Sequence, residues 1–240
     1  MNLYDELIEK CQEMTKGFDN TKSFRRSEIT SWICGCQQEI ILKNDMAYEL
    51  GGSMLPAVSM LAFTSDLDLE DEVVVMGSDL SEIKADVPYA RITLLKIDDS
   101  KWSDNQKAYS AMQRIDYTRY HVYPEGFMMR ISTSASREPV RVSRKAVEKG
   151  MDFKSVGGAF IDAYHKHRDV IAVKIIFVTD KDFPYQKLSE YAEMTNKITK
   201  SLDSIFNKLV MDCRSCNLKP VCDEVEGMRE LHKTYAHKNA

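Results

Sequence analysis

Three cysteines toward the end of the 240-residue sequence, Cys213, Cys216 and Cys222, follow the spacing C-x2-C-x5-C. Three thiolates are one short of a closed four-ligand site, so a metal held here needs a further ligand from elsewhere in the chain. Such a ligand would close a loop of nearly the whole chain and dictate which segments meet. Cys34 and Cys36, in Trp32-Ile33-Cys34-Gly35-Cys36, are the candidates, with Cys11 a third. Zinc ligands commonly pair two to four residues apart. The longer gap from Cys216 to Cys222, stiffened by Pro220, suits a cubane better. The cysteines thus point to a 4Fe-4S cluster held by Cys213, Cys216, Cys222 and one of Cys34 or Cys36. Zinc and reduced, metal-free cysteines are the alternatives.

Compartment and charge bear on that reading. No apolar run approaches the ~20 residues of a membrane helix, and Met1-Asn-Leu-Tyr-Asp-Glu6 lacks a charged-then-apolar leader, so a cytoplasmic protein with no membrane partner is expected. Six cysteines in a reducing compartment are poor disulfide formers, and their clustering favours metal. The formal charge is −4, from 33 basic and 37 acidic residues mixed along the chain, which argues against a nucleic-acid partner.

Periodicity supplies the architecture. Leu3, Leu7 and Cys11 recur at helical spacing, and Ser27 is a fair cap for a second helix with Ile29, Ile33, Cys36 and Ile40 on one face. From Met46 onward short apolar runs alternate with turns: strands are expected at 48–52, 73–76, 91–97 and 126–131, and helices at 103–119, 143–150 and 156–167. Val170 to Thr179 is nearly continuous apolar sequence and reads as a central strand buried on both faces. Pro184 opens a long helix with Leu188, Tyr191, Thr195, Ile198, Leu202, Ile205 and Leu209 on one side, leading to Cys213. The fold class is α/β, a mixed sheet with flanking helices, its N- and C-terminal helical segments brought together at a cysteine cluster. The expected divisions are an N-terminal helical segment (1–45), an α/β domain (46–182), and a long helix with the cysteine motif (183–240).

The stretches Tyr48-Glu-Leu-Gly-Gly52, Val75-Met-Gly-Ser-Asp-Leu-Ser-Glu-Ile83, Tyr123-Pro-Glu-Gly126, Arg141-Val-Ser-Arg-Lys-Ala-Val-Glu-Lys-Gly150, Phe153-Lys-Ser-Val156 and Val173-Lys-Ile-Ile-Phe-Val-Thr-Asp180 occur in this order. Together they resemble the central domain of the acetyl-CoA synthase subunit of the carbon monoxide dehydrogenase/acetyl-CoA synthase complex. In that family the central domain precedes a domain whose cysteines hold a four-iron cluster bridged to a dinuclear nickel site, with a Cys-Gly-Cys motif on the distal nickel. The resemblance implies that C-x2-C-x5-C stands where the first cluster cysteines begin, and that the catalytic nickel domain is missing. Cys34-Gly-Cys36 lies upstream of the similar region, so the nickel role does not carry over to it.

The resemblance also implies coenzyme A binding through a basic stretch, here Arg130, Arg137, Arg141 and Arg144, while Met128 and Pro139 stand where the family has tryptophans. A solvated basic surface is the plainer alternative. No nucleophile and base stand in an arrangement that implies catalysis, and His165-Lys-His167 and His121 read as surface and packing. The function expected is an iron–sulfur accessory protein in anaerobic one-carbon or corrinoid-dependent metabolism, with a corrinoid protein or another one-carbon enzyme subunit as partner. The rivals are a metalloenzyme using an open Cys34-Gly-Cys36 site in acyl or methyl transfer, and a coenzyme A-binding module without functional metal.

Overall fold

A computed structural model describes residues 3–52, 54–101, 105–130, 132, 136–206, 218–225 and 228. Within them run strands β1 (Thr21–Arg25), β2 (Met46–Leu50), β3 (Ala57–Thr64), β4 (Glu72–Met76), β5 (Tyr89–Ile97), β6 (Phe127–Met129), β7 (Val140–Ser143) and β8 (Val170–Val178). The helices are α1 (Asp5–Met14), α2 (Asn105–Thr118), α3 (Arg144–Glu148), α4 (Phe153–Tyr164), α5 (Tyr185–Phe206) and α6 (Lys219–Glu224).

Five strands form a mixed sheet in the order β1-β4-β8-β5-β3. The apolar run of β8 takes the central position, parallel to β4 and antiparallel to β5, as its lack of any polar alternation requires. Helix α4 covers one face. Asp152 caps it by accepting from Ser155 N at 2.7 Å, which starts the helix earlier than its apolar spacing indicates. Gly157 lets α4 lie close to the sheet, since a Cβ there would stand 2.5 Å from a Val73 methyl. Helix α1 lies on the other face, where Cys11 Sγ sits 3.3 Å from Met60 Sδ. It packs against α5, and Tyr4 hydrogen-bonds Thr199 Oγ1 at 3.0 Å. Helix α6 packs on α5 in turn.

The helix expected over Ser27 to Ile40 does not form. A three-residue 3-10 turn at Arg26–Glu28 gives way to extended chain. Its backbone groups bond elsewhere: Trp32 N to Ser155 O at 2.9 Å, Gly35 N to Tyr123 O at 2.9 Å, and Glu125 N to Ile33 O at 3.0 Å. Ile29 and Ser31 pack where Gly158 leaves room on α4. β-Branched Ile29, Thr30 and Ile33, with Gly35, are weak helix formers, and these tertiary bonds outcompete what helicity remains. The first 45 residues also supply β1 to the large sheet, so they are not helical throughout.

A second, antiparallel sheet has the order β2-β7-β6. The two sheets are joined by residues 136–139. Ser59 N donates to Ser136 O at 2.8 Å and Glu138 N to Ala57 O at 3.0 Å, which seals the β3 edge; Arg130 N then donates to Pro139 O at 2.8 Å as the chain enters β7. The junction positions the site described next.

Candidate anion-binding cleft

Glu49 lies in β2 directly opposite Arg141 in β7. Opposite charges facing one another across an antiparallel pair attract, and Arg141 Nε donates to Glu49 Oε1 at 3.1 Å, while its Nη1 donates to Ile41 O at 3.1 Å. Arg130, just past β6, donates to the same carboxylate oxygen. Arg137 reaches in from the junction segment, with Nη1 on Leu55 O and Nη2 on Gly51 O, each at 3.0 Å.

A cleft of about 400 Å³ opens beside Glu49, lined by Glu49, Gly51, Gly52, Arg130, Ser132, Arg137 and Pro139. The two glycines form its tight floor. A Cβ on Gly52 would stand 2.6 Å from Glu49 Oε2, and one on Gly51 would meet the Ala57 Cβ at 2.2 Å. Arg144 stands apart, exposed at the start of α3, with Nη2 3.4 Å from Met46 O. Of the four arginines singled out in the sequence, the fold therefore puts Arg130 and Arg137 in the cleft lining, ties Arg141 to it through Glu49, and leaves Arg144 outside. Glu49 is not among the residues the sequence points to. Its signal was a carboxylate between Tyr48 and Leu50, both buried, in a strand.

Two guanidinium groups on the Glu49 carboxylate, with that of Arg137 held by backbone carbonyls in the same lining, leave a local excess of positive charge. Arginine presents planar, paired donors that match phosphate or carboxylate oxygens. Pro139 lines the cleft, whereas Met128 turns toward the 36–42 segment, its Sδ 3.2 Å from Ile41 N.

The cysteines are distributed differently. Cys34 forms an isolated bridge with Pro124, and both Cys34 and Cys36 are exposed. Burial nonetheless raises the Cys34 thiol above its ordinary value. Cys11 is buried against Met60, and burial pushes its thiol up to about 12. Cys222 falls in α6, and Cys213 and Cys216 lie outside the described residues. Among the described residues no three His, Cys, Asp or Glu side chains gather as a metal site. His165 pairs with Asp71 at 2.8 Å, His167 with Thr118 at 2.7 Å, and His121 stacks on Tyr117. No described helix is long and apolar enough to cross a membrane.

A family model described as the CO dehydrogenase/acetyl-CoA synthase complex beta subunit matches residues 34–183, well over half of the chain. The chain belongs to this family. The carbon monoxide dehydrogenase/acetyl-CoA synthase subunit alpha of Moorella thermoacetica is 25% identical over 203 residues, which cover 83% of this chain and 26% of that protein. The chain thus spans about a quarter of its relative's length. Every residue of the cleft falls inside the CO dehydrogenase/acetyl-CoA synthase match, whereas α1, β1 and α5 fall outside it; Cys34 and Cys36, expected upstream of the similar region, lie at its very start.

Proposed function

We propose that this member of the CO dehydrogenase/acetyl-CoA synthase family is a binding component of anaerobic one-carbon metabolism, working in the cytoplasm beside a corrinoid protein or another one-carbon enzyme subunit. Its cleft takes the phosphates of coenzyme A. The observation that carries this reading is that Arg130 and Arg137, from separate points in the chain, line one cleft, with Arg141 held beside it through Glu49. Calorimetric titration with coenzyme A tests it against an Arg130→Ala/Arg137→Ala variant. Micromolar binding that weakens at least tenfold in the variant and falls with added salt supports the reading; equal binding by both proteins, or none by the native one, overturns it.

A second reading concerns the thiols: a 4Fe-4S cluster, with zinc as the alternative, held by Cys213, Cys216, Cys222 and one of Cys34 or Cys36. The C-x2-C-x5-C spacing and the exposure of Cys34 and Cys36 favour it. A cluster supplies a structural link between distant segments or a one-electron carrier. Anaerobic purification followed by iron, zinc and sulfide analysis decides between the metals. Cys34→Ser and Cys36→Ser, made singly, then identify the ligand. Metal content unchanged in both variants removes the pair from the site.

A further inference from the structure

We propose that the buried ion pair Arg91–Glu138 is a positioning device for Arg137, and so sets the affinity of the cleft for anions; this rests on the reading of the cleft given above. Glu138 and Arg137 are neighbours on the extended junction segment, and their side chains diverge. Arg137 reaches Gly51 O and Leu55 O at the cleft, whereas Glu138 turns inward to Arg91, with contacts of 2.8 and 2.9 Å. Both members of the pair are buried, and the Arg91 guanidinium stacks over Phe160 at 4.2 Å.

The bonds around the pair close a circuit. Arg91 Nη2 donates to Arg119 O at 3.2 Å, and Arg119 donates to both Ser59 Oγ and Ser59 O. Ser59 N in turn donates to Ser136 O. The circuit begins at Glu138 and returns at Ser136, so the residues on either side of Arg137 are both tied to it. A buried ion pair is a poor source of stability, because desolvation offsets its attraction. Arg91 Nε and Nη1, moreover, have no hydrogen-bond partner among the described residues. What the pair supplies is a fixed direction for the backbone that presents Arg137 to the cleft.

Pyrophosphate, titrated by calorimetry, is the probe. The proteins are the native chain, Glu138→Gln, Arg137→Ala, their double variant, and Arg91→Met/Glu138→Met. The last replaces the pair by apolar side chains of similar length, an exchange that folds commonly tolerate. Loss of one charge-assisted contact corresponds to about tenfold in affinity. The expected result is a loss of that order in Arg137→Ala and in Arg91→Met/Glu138→Met, with Glu138→Gln adding nothing once Arg137 is gone. Native-like affinity in Arg91→Met/Glu138→Met, or losses from Glu138→Gln and Arg137→Ala that simply add, overturns the positioning role while leaving the cleft intact. Absence of binding by the native protein, or no effect of Arg137→Ala, overturns the cleft reading and this inference with it.

Discussion

Arg141 and Glu49 face each other in direct register across β7 and β2, joined by an Nε–Oε1 hydrogen bond of 3.1 Å. Because Arg130 donates to the same oxygen, the carboxylate occupies donors that an incoming anion would use. Glu49→Gln should therefore raise affinity for pyrophosphate several-fold at low salt while lowering stability by about 1 kcal/mol, as the hydrogen bonds from two guanidinium groups lose their charged acceptor. Calorimetry and urea denaturation on the same protein read the two opposed effects.

Arg137 bonds two backbone carbonyls with separate nitrogens, a use of the guanidinium fork that lysine cannot copy. Arg137→Lys should keep the charge yet lose about 1–2 kcal/mol of stability. Its anion affinity should lie closer to Arg137→Ala than to the native protein. Denaturation midpoints and titrations of the three proteins check this.

Gly51 adopts φ +66°, and an added Cβ would stand 2.2 Å from the Ala57 Cβ; Gly150 has φ +90° with nothing within 4 Å of the added atom. Gly51→Ala combines backbone strain with a collision and should cost about 3 kcal/mol or more, whereas Gly150→Ala should cost only about 1 kcal/mol. Thermal unfolding of the pair separates strain from crowding.

Thiol labelling should follow exposure. Iodoacetamide at pH 8 under anaerobic, chelated conditions should modify Cys36 readily, Cys34 more slowly because burial raises its thiol, and leave Cys11 untouched until denaturant is added, since Cys11 is buried with its thiol pushed up to about 12. Peptide mass mapping before and after unfolding gives the pattern.

Asp79 accepts from Leu80 N and Phe153 N, but burial, aided by nearby Asp152, raises its carboxyl above the ordinary range. A raised carboxylate binds its proton more tightly in the folded protein, so this group weakens folding as pH climbs from its unfolded value of about 4 through its folded one. Asp79→Asn keeps the acceptor without the charge. It should match the native protein below about pH 4 and exceed it in stability at pH 7. Melting temperatures across that range test the sign.

Patterns with local causes were readable in the sequence. Continuous apolar residues marked β8 as central, and the recurring face from Leu188 marked α5, because both signals lie within single elements. Helix 27–40 failed because what decides that stretch is bonding to Tyr123, Glu125 and Ser155, about 90 to 120 residues away. The apolar run of β3, Ala57 to Thr64, is a strand signal absent from the expected elements, while β1 is short, mostly exposed and carries almost none. At the cleft the arginines were legible as a basic stretch. The sharing of Glu49 by Arg130 and Arg141, with Arg137 in the same cleft, was not, since it depends on β2–β7 register and on the junction segment meeting β3.

The edge position of β1 bears on how this fold can be dissected. It pairs with β4 from Thr21↔Met76 to Arg25↔Glu72, outside the stretch that matches the family, and it turns Lys22 and Arg25 to solvent. A polypeptide begun at Cys34 would keep every cleft residue and lose that strand. Glu72–Met76 would become an open, valine-rich border with unmet N–H and C=O groups, a template onto which a second molecule can add its own strand. The stretch shared with relatives and the stretch that keeps its sheet to itself are therefore different lengths of chain, and a short, charged strand near the start makes the difference.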